Sequence, residues 1–373
     1  MIPKSMEAAF ERVAHPFHMW DGLMTTPEAL TAVLAPDVQE QVRRAARAMA
    51  DVGHVHLVGC GTSYFSAIAG TYAFHAVADM AATAHNAFEF SAYPPAALGQ
   101  SALLAISHTG GTAVVLDCVR VARERGAVTI GLTDIPESVL AAAPAHVILG
   151  GGGREHSLPK TKSYPASLLR HYLLAVALAE GRGRGHGQTA SLRAALAEAP
   201  AHTRQVLSDA EPLTRWLAEN RRPGAQVFVL GAGPNLATAL EGALKLQESA
   251  QVRAFGWELE EGMHGPWGIM EPGDLVILPV MRGPSMAKAR GLAAALQHIG
   301  VTIWAITDDP DGLPGAHHVT HLPQDVPECF SPLYAALPLY QFTYFSALAE
   351  GKRPDCMRLA DDRYLRARLA LPR

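Results

Sequence analysis

Short apolar runs alternate along this chain with longer stretches whose apolar positions recur at helical spacing. The run at 55–59 ends in Gly59-Cys60-Gly61, and the run at 227–231 ends in Gly231-Ala232-Gly233; an alanine-rich helical stretch follows each. Later runs match in the same order: 102–106 with 275–279, and 128–133 with 302–307. Strands that alternate with helices of ten or more residues predict a parallel sheet with helical crossovers. The recurrence predicts that one α/β domain is duplicated. The spacing also predicts a helix over 27–50, an apolar helix over 334–348 and a charged tail over 352–373. Between the halves, Glu180-Gly181-Arg182-Gly183-Arg184-Gly185-His186-Gly187 predicts a loop or linker, because so many glycines hold neither helix nor strand.

A length of 373 residues fits two domains with separate cores. An apolar fraction of 49% with 18% charged residues predicts a soluble globular chain. The formal net charge of −4 argues against general nucleic-acid binding, so any phosphate site must be built locally. Residues 1–7 lead into charged positions, which argues against a secretory signal. The most apolar helix candidate, 168–179, is interrupted by Arg170 and His171 and is too short to span a bilayer. Cys60, Cys118, Cys329 and Cys356 have no CxxC spacing, so a reduced, cytoplasmic protein is expected.

Two places carry candidate chemistry. The strand at 103–106 runs into Ser107-His108-Thr109-Gly110-Gly111-Thr112 and then a helix. Hydroxyls, glycines and a helix N-terminus together suit an anion, and the first glycine turn, Gly61-Thr62-Ser63, lies at a neighbouring strand end. The same residues also suit a capped helix with turn glycines, because Ser and Thr cap helices routinely. The second place is the helical run 240–248. It puts Glu241, Lys245 and Glu248 at i, i+4 and i+7 on one face, with His264 following in Met263-His264-Gly265-Pro266. A carboxylate, an amine and an imidazole at the carboxyl edge of an α/β sheet suit proton transfer on a small carbonyl compound. The competing readings are a surface ion pair worth about 0.3 kcal/mol and a structural histidine. His54, His56, His85, His317, His318 and His321 lack a metal-ligand spacing such as HExxH, so no metal is indicated.

Taken together, these motifs resemble the sugar isomerase (SIS) domain family, and above all the double-SIS isomerase half of glucosamine-6-phosphate synthase and its stand-alone relatives. Val-Gly-Cys-Gly-Thr-Ser (58–63) is similar to the family's first turn. Ser-His-Thr-Gly-Gly-Thr (107–112) is similar to its Ser-x-Ser-Gly-x-Thr phosphate loop. Glu155 with Thr161-Lys162-Ser163-Tyr164, the run 241–248 and Glu-x-x-His-Gly-Pro (261–266) complete an ordered set of five. The resemblance implies an α/β fold of two tandem SIS domains, each a parallel sheet flanked by helices on both faces. It places an N-terminal segment at 1–35, the phosphate-binding domain at 36–180, a linker and crossing helix at 181–205, the domain of the catalytic base at 206–345 and a tail at 346–373. It implies that Ser63, Ser107, His108, Thr109 and Thr112 hold a sugar 6-phosphate, that Glu248 moves a proton between sugar carbons 1 and 2, and that Lys245 and Glu241 orient substrate and base. His264 would assist ring opening from a neighbouring subunit, which implies a homodimer. No metal or organic cofactor is implied, and no nucleic acid or membrane partner.

Three departures shape the expected reaction. The synthase's glutamine-hydrolysing domain and N-terminal Cys nucleophile have no counterpart in this sequence, so glutamine-dependent synthesis is not expected. The synthase's isomerase half ends in Pro-Arg-Asn-Leu-Ala-Lys; here Met357-Arg358-Leu359-Ala360-Asp361 sets an acid where that lysine stands. Lys160 falls where the synthase has a phosphate-contacting Ser and would serve the phosphate as a point charge. Lys162 is expected to pair with Glu155. The expectation is aldose–ketose isomerisation with deamination of an amino-sugar 6-phosphate. One alternative is a dehydratase or lyase that eliminates the carbon-3 substituent of an N-acetylamino-sugar 6-phosphate. The other is a sensor that binds phosphosugars without turnover, which would tolerate loss of Glu248.

Overall fold

The structure, a computed structural model, describes residues 4–183 and 187–371; Arg184, Gly185 and His186 of the expected linker lie outside the described residues. The chain divides into two compact units. The first comprises Thr26–Arg154 and Lys162–Ala201; the second comprises the described parts of Met1–Thr25, Glu155–Thr161 and His202–Arg373.

In the first unit, β1 (His54–Gly59), β2 (Ala81–Asn86), β3 (Ser101–Ile106), β4 (Val128–Thr133) and β5 (His146–Leu149) form one parallel sheet in the order β2-β1-β3-β4-β5. Alternation along β1 sends successive side chains to opposite faces. Val58 joins Leu103 and Ala105 in a core with Val115, Cys118, Val119 and Ala122 of helix α2 (Ala113–Glu124). Leu57 faces the other way, toward Gly70 of helix α1 (Thr62–Ala78). A third helix, α3 (Ser163–Gly181), is buried at every residue from Ser163 to Ala179. A helix apolar all round belongs in an interior, and the two polar residues interrupting it are accommodated individually. Arg170 pairs with Asp134 at 2.9 Å and donates to the carbonyls of Thr133 and Ile148. Burial, then the charge of Arg170, pushes His171 down to about 3, so it stays neutral.

The second unit repeats this plan. Strands β6 (Val227–Gly231), β7 (Ala254–Glu258), β8 (Leu275–Pro279), β9 (Thr302–Thr307) and β10 (His318–His321) form a parallel sheet in the order β10-β9-β8-β6-β7. Read from the other edge, this is the first sheet's order, as the duplication requires. Phe228, Leu230, Val276, Leu278, Ile303 and Ala305 pack with Leu292 and Leu296 of the helix Met286–Gln297. Helix α4 (Asn235–Lys245) packs on β6 and β7 and against α5 (Pro332–Ala349), which is buried from Pro332 to Ala347. Both first strands end on a glycine for one steric reason. A Cβ on Gly59 would stand 2.6 Å from the carbonyl carbon of Ser63, and one on Gly231 would stand 2.1 Å from the carbonyl oxygen of Asn235.

Several expectations are corrected. The helix over 27–50 is two helices, Thr26–Val33 and Pro36–Ala48, because Pro36 cannot continue a helix and instead starts one. Glu180 and Gly181 are the last residues of α3 rather than linker, and a helix resumes at Gln188–Ala197, followed by Ala199–Asn220. In the charged tail, for which the sequence predicts no element, a 3-10 turn at Pro354–Cys356 precedes a helix at Asp362–Ala370. Buried Asp355 in that turn accepts from the backbone N–H groups of His18 and Met19, at the start of the helix His18–Met24. Among the described residues, no helix is long and apolar enough to cross a membrane.

Candidate active-site residues

In the first sheet, β1 continues to β2 on one side while β3 lies on the other, so the chain changes direction between β1 and β3. Loops at the carboxyl ends of such strands border the crevice where open α/β sheets bind ligands. Ser63 opens α1 there, and Ser107, His108, Thr109 and Thr112 follow β3. Ser107 is buried and its Oγ lies 3.0 Å from the Thr112 hydroxyl while accepting from the Gly110 N–H at 3.1 Å. Thr109 is exposed, and Ser63 is half-buried. Helix α2 starts at Ala113, so its first N–H groups point out of the helix beside this loop. His108 Nδ1 lies 2.7 Å from Asp134 Oδ2, directly after β4.

In the second unit, Glu241 and Lys245 lie on α4, which opens after the β6 turn. The helix does not continue regularly to Glu248 as the i, i+4, i+7 reading supposes. It passes at Leu246–Ala250 into a π-helical turn, a rare form that is frequent at functional sites. The wider turn still brings the three groups together. Lys245 Nζ lies 2.6 Å from Glu248 and 3.4 Å from Glu241, and the Tyr340 hydroxyl donates to Glu241 at 2.9 Å. Lys245 is 1% exposed and Glu241 fully buried, while Glu248 reaches 16%. A surface ion pair would not be dehydrated in this way. Burial alone would push the Lys245 amine down; Glu241 and Glu248 outweigh it and hold the amine above its ordinary value. The arrangement is a cation between two carboxylates, with Glu248 the most exposed of the three.

His264, Lys160 and Asp361 make polar contacts of their own. His264 is 66% exposed and its Nε2 lies 3.1 Å from Glu260. The Lys160 amine donates to the carbonyls of Glu155 and Ser157 in its own segment. Glu155 accepts from the backbone N–H and hydroxyl of Thr161 rather than pairing with Lys162, whose charge instead acts on Asp134. In the tail, Asp361 accepts from the Arg363 N–H and pairs with its guanidinium at 2.7 Å, which holds its carboxyl down at about 2. The tail's Pro354–Cys356 turn packs on the Leu246–Ala250 turn that bears Glu248. Sequence reasoning missed Tyr340 and Asp134. Tyr340 gives no signal within an apolar helix. Asp134 had one: a Thr-Asp pair closes β4 and the residue after it, Thr133-Asp134, as Thr307-Asp308 does at β9.

Two parallel sheets of one order, with a hydroxyl loop at the first switch point and a buried carboxylate–amine group in the second unit, define a duplicated α/β protein. The SIS domain family model matches residues 48–177 and 222–346, and the chain belongs to that family. It is 27% identical over 347 residues to the glutamine–fructose-6-phosphate aminotransferase (isomerizing) of Aeropyrum pernix, an alignment covering 92% of this chain and 56% of the relative. It is 30% identical over 313 residues to the protein of that name from Leifsonia xyli subsp. xyli, covering 80% and 50%. The chain thus spans about half the length of the relatives it matches. The solved C-terminal domain of glucosamine-fructose-6-phosphate aminotransferase from Francisella tularensis has the same fold: TM-score 0.78 at 19% identity, over 92% of this chain and 99% of that one.

Proposed function

We propose that this chain is a phosphosugar aldose–ketose isomerase and deaminase acting on an amino-sugar 6-phosphate, with Glu248 as its base. The observation that carries the reading is the dehydrated Glu241–Lys245–Glu248 group. Burying two charges beside a third is costly unless they are mutually paired, and such an arrangement is hard to explain as surface decoration. Moving a proton between carbons 1 and 2 of an open-chain sugar needs a base near the carbon and a donor near the carbonyl oxygen. Glu248 is assigned the first role and Lys245 the second, while Glu241, braced by Tyr340, orients the lysine. Ser63, Ser107, His108, Thr109 and Thr112 are assigned to the 6-phosphate, with Lys160 as a further point charge. The relatives' names, which join fructose 6-phosphate to an isomerizing aminotransferase, support an amino-sugar substrate. His264 is assigned to ring opening in a neighbouring copy of a homodimer; its exposure beside exposed Trp267 and Ile269 supports that role. Four free cysteines support a reduced, cytoplasmic setting.

One observation favours a second reading, elimination of the carbon-3 substituent from an N-acetylamino-sugar 6-phosphate. Asp361, where the resemblance calls for a lysine, is an acid already bound to Arg363. Without that amine, a carbanion at carbon 2 can instead expel the group on carbon 3.

Proton NMR in D2O separates these readings, with purified protein given glucosamine 6-phosphate, N-acetylglucosamine 6-phosphate, or fructose 6-phosphate with ammonium. The expected result is exchange of the carbon-2 proton and release of ammonia and fructose 6-phosphate from the free amine. An alkene signal at carbons 2 and 3 from the acetylated sugar would establish elimination instead. Tight binding without exchange or turnover would make the chain a sensor.

A further inference from the structure

His108 is the titratable group of the hydroxyl loop, and the structure fixes which of its nitrogens points away from the protein's own acceptor. Asp134 Oδ2 lies 2.7 Å from Nδ1. A carboxylate only accepts, so Nδ1 carries the hydrogen and the neutral ring has only a lone pair at Nε2. That Nε2 is buried without a hydrogen-bond partner, on a side chain 10% exposed. Behind Asp134 stands Arg170, 2.9 Å from Oδ1 and equally buried. Burial would raise the Asp134 carboxyl, but Arg170, the hydrogen bond and charge of His108, and Lys162 outweigh it and hold it down. Asp134 therefore stays anionic and offsets Arg170. The groups around the imidazole are thus Asp134 directly, with Arg170 and Lys162 acting through it.

A phosphate monoester dianion offers only acceptors. Two acceptors do not bond, so His108 contacts such an oxygen only if a proton arrives with the ligand. We infer that Asp134 is a positioning residue that holds His108 by Nδ1, so that the loop takes a phosphate monoester dianion together with one proton on Nε2. The inference rests on the phosphate role assigned to His108 above and adds the proton linkage and the residue that sets it. No covalent step is involved: the proton comes from solvent, forms the Nε2–H bond and leaves with the ligand. The sign follows from linkage. Binding takes up a proton, so affinity falls as pH rises, by about tenfold per unit once the free imidazole is neutral and the monoester fully ionised.

The test is isothermal titration of the full chain with sorbitol 6-phosphate, which keeps the phosphate and lacks a reactive carbonyl. It is run near pH 8 in two buffers of different ionisation enthalpy, with the affinity followed from about pH 7 to 9. The wild type should take up about one proton per ligand, and His108→Gln should take up about none, with weaker binding that no longer depends on pH. Asp134→Asn keeps an acceptor but loses the charge, and should take up well under one proton. That substitution also strips buried Arg170 of its partner and can cost folding, so His108→Gln, which leaves the pair intact, carries the test. Binding without proton uptake by the wild type, or uptake undiminished in His108→Gln, overturns the inference and leaves the phosphate site standing. No binding of sorbitol 6-phosphate by the wild type overturns both.

Discussion

His108 and Arg282 occupy matching places in the two sheets. Each follows the third strand of its unit and is anchored by the aspartate directly after the fourth, at 2.7 Å in both cases and 26 positions further along the chain in both. The anchors are alike, and what they hold is not. Asp134 binds a ring nitrogen of a nearly buried imidazole, whereas Asp308 accepts from the backbone N–H of Arg282 and, at 3.2 Å, from its guanidinium, a side chain that is 45% exposed and also donates to the Gln324 carbonyl. Beside Arg282 the second unit has a carboxylate, Glu328, lying against Gly233 and Gly283. The helices after the first strands differ in the opposite sense. Helix α1 buries hydroxyls, Ser66 and Thr71; α4 buries Glu241 and Lys245. The duplicated plan therefore keeps the places of the loops and helix starts, while the residues on them differ, as the proposed division into a phosphate-binding copy and a proton-transferring copy requires.

The sharpest way to break that division is Glu248→Gln. The amide keeps the contact with Lys245 but cannot accept a proton, so turnover should fall by roughly 100- to 10,000-fold with the thermal midpoint little changed. Carbon-2 exchange by NMR together with a melting curve checks this, and undiminished turnover would remove Glu248 as the base. A smaller effect is expected in the other copy. Ser107→Ala combined with Thr109→Ala removes two hydroxyls from the loop and should weaken sugar 6-phosphate binding about 10- to 100-fold, with turnover at saturation nearly preserved. Titration calorimetry reads the affinity; unchanged binding would reduce the loop to a capped helix start.

How much of this was legible in the sequence follows from burial. The six strands foreseen are interior strands, covered on both faces and therefore mostly apolar. The four that were not foreseen, β2, β5, β7 and β10, are the four sheet edges. Edge strands have one neighbour and carry polar residues such as Thr83, His85, His146, Glu258 and His321, so no apolar run announces them. The Glu241, Lys245 and Glu248 set was legible because helical spacing places the residues on one face. The π turn was not, since nothing in Leu246-Gln247-Glu248-Ser249-Ala250 departs from an ordinary helical pattern. Asp134 and Arg170 were visible only singly, as a strand-end acid and a charge inside an apolar helix. Their pairing belongs to tertiary structure.

The smallest expected effect tests whether the second copy's crevice is truly outside the anion chemistry. Glu328 lies half-buried, and its carboxyl is raised above the ordinary value by burial and then by Asp308. A raised acid is a liability once ionised: the unfolded chain gives up the proton more readily, so this group's contribution to stability declines as pH rises through its folded value. Glu328→Gln removes that liability. The variant should be more stable than the wild type near pH 8 by a few tenths to about 1 kcal/mol, because solvent at a half-buried site screens the repulsion, and the gain should vanish by about pH 4. Denaturant midpoints at the two pH values measure it. Sugar 6-phosphate affinity should stay within about twofold, since the loop assigned to the phosphate belongs to the other copy and neither carboxylate nor amide at 328 is a member of it. A large loss of affinity in Glu328→Gln would mean that the second crevice also serves the ligand, and the division of labour between the two copies would have to be abandoned.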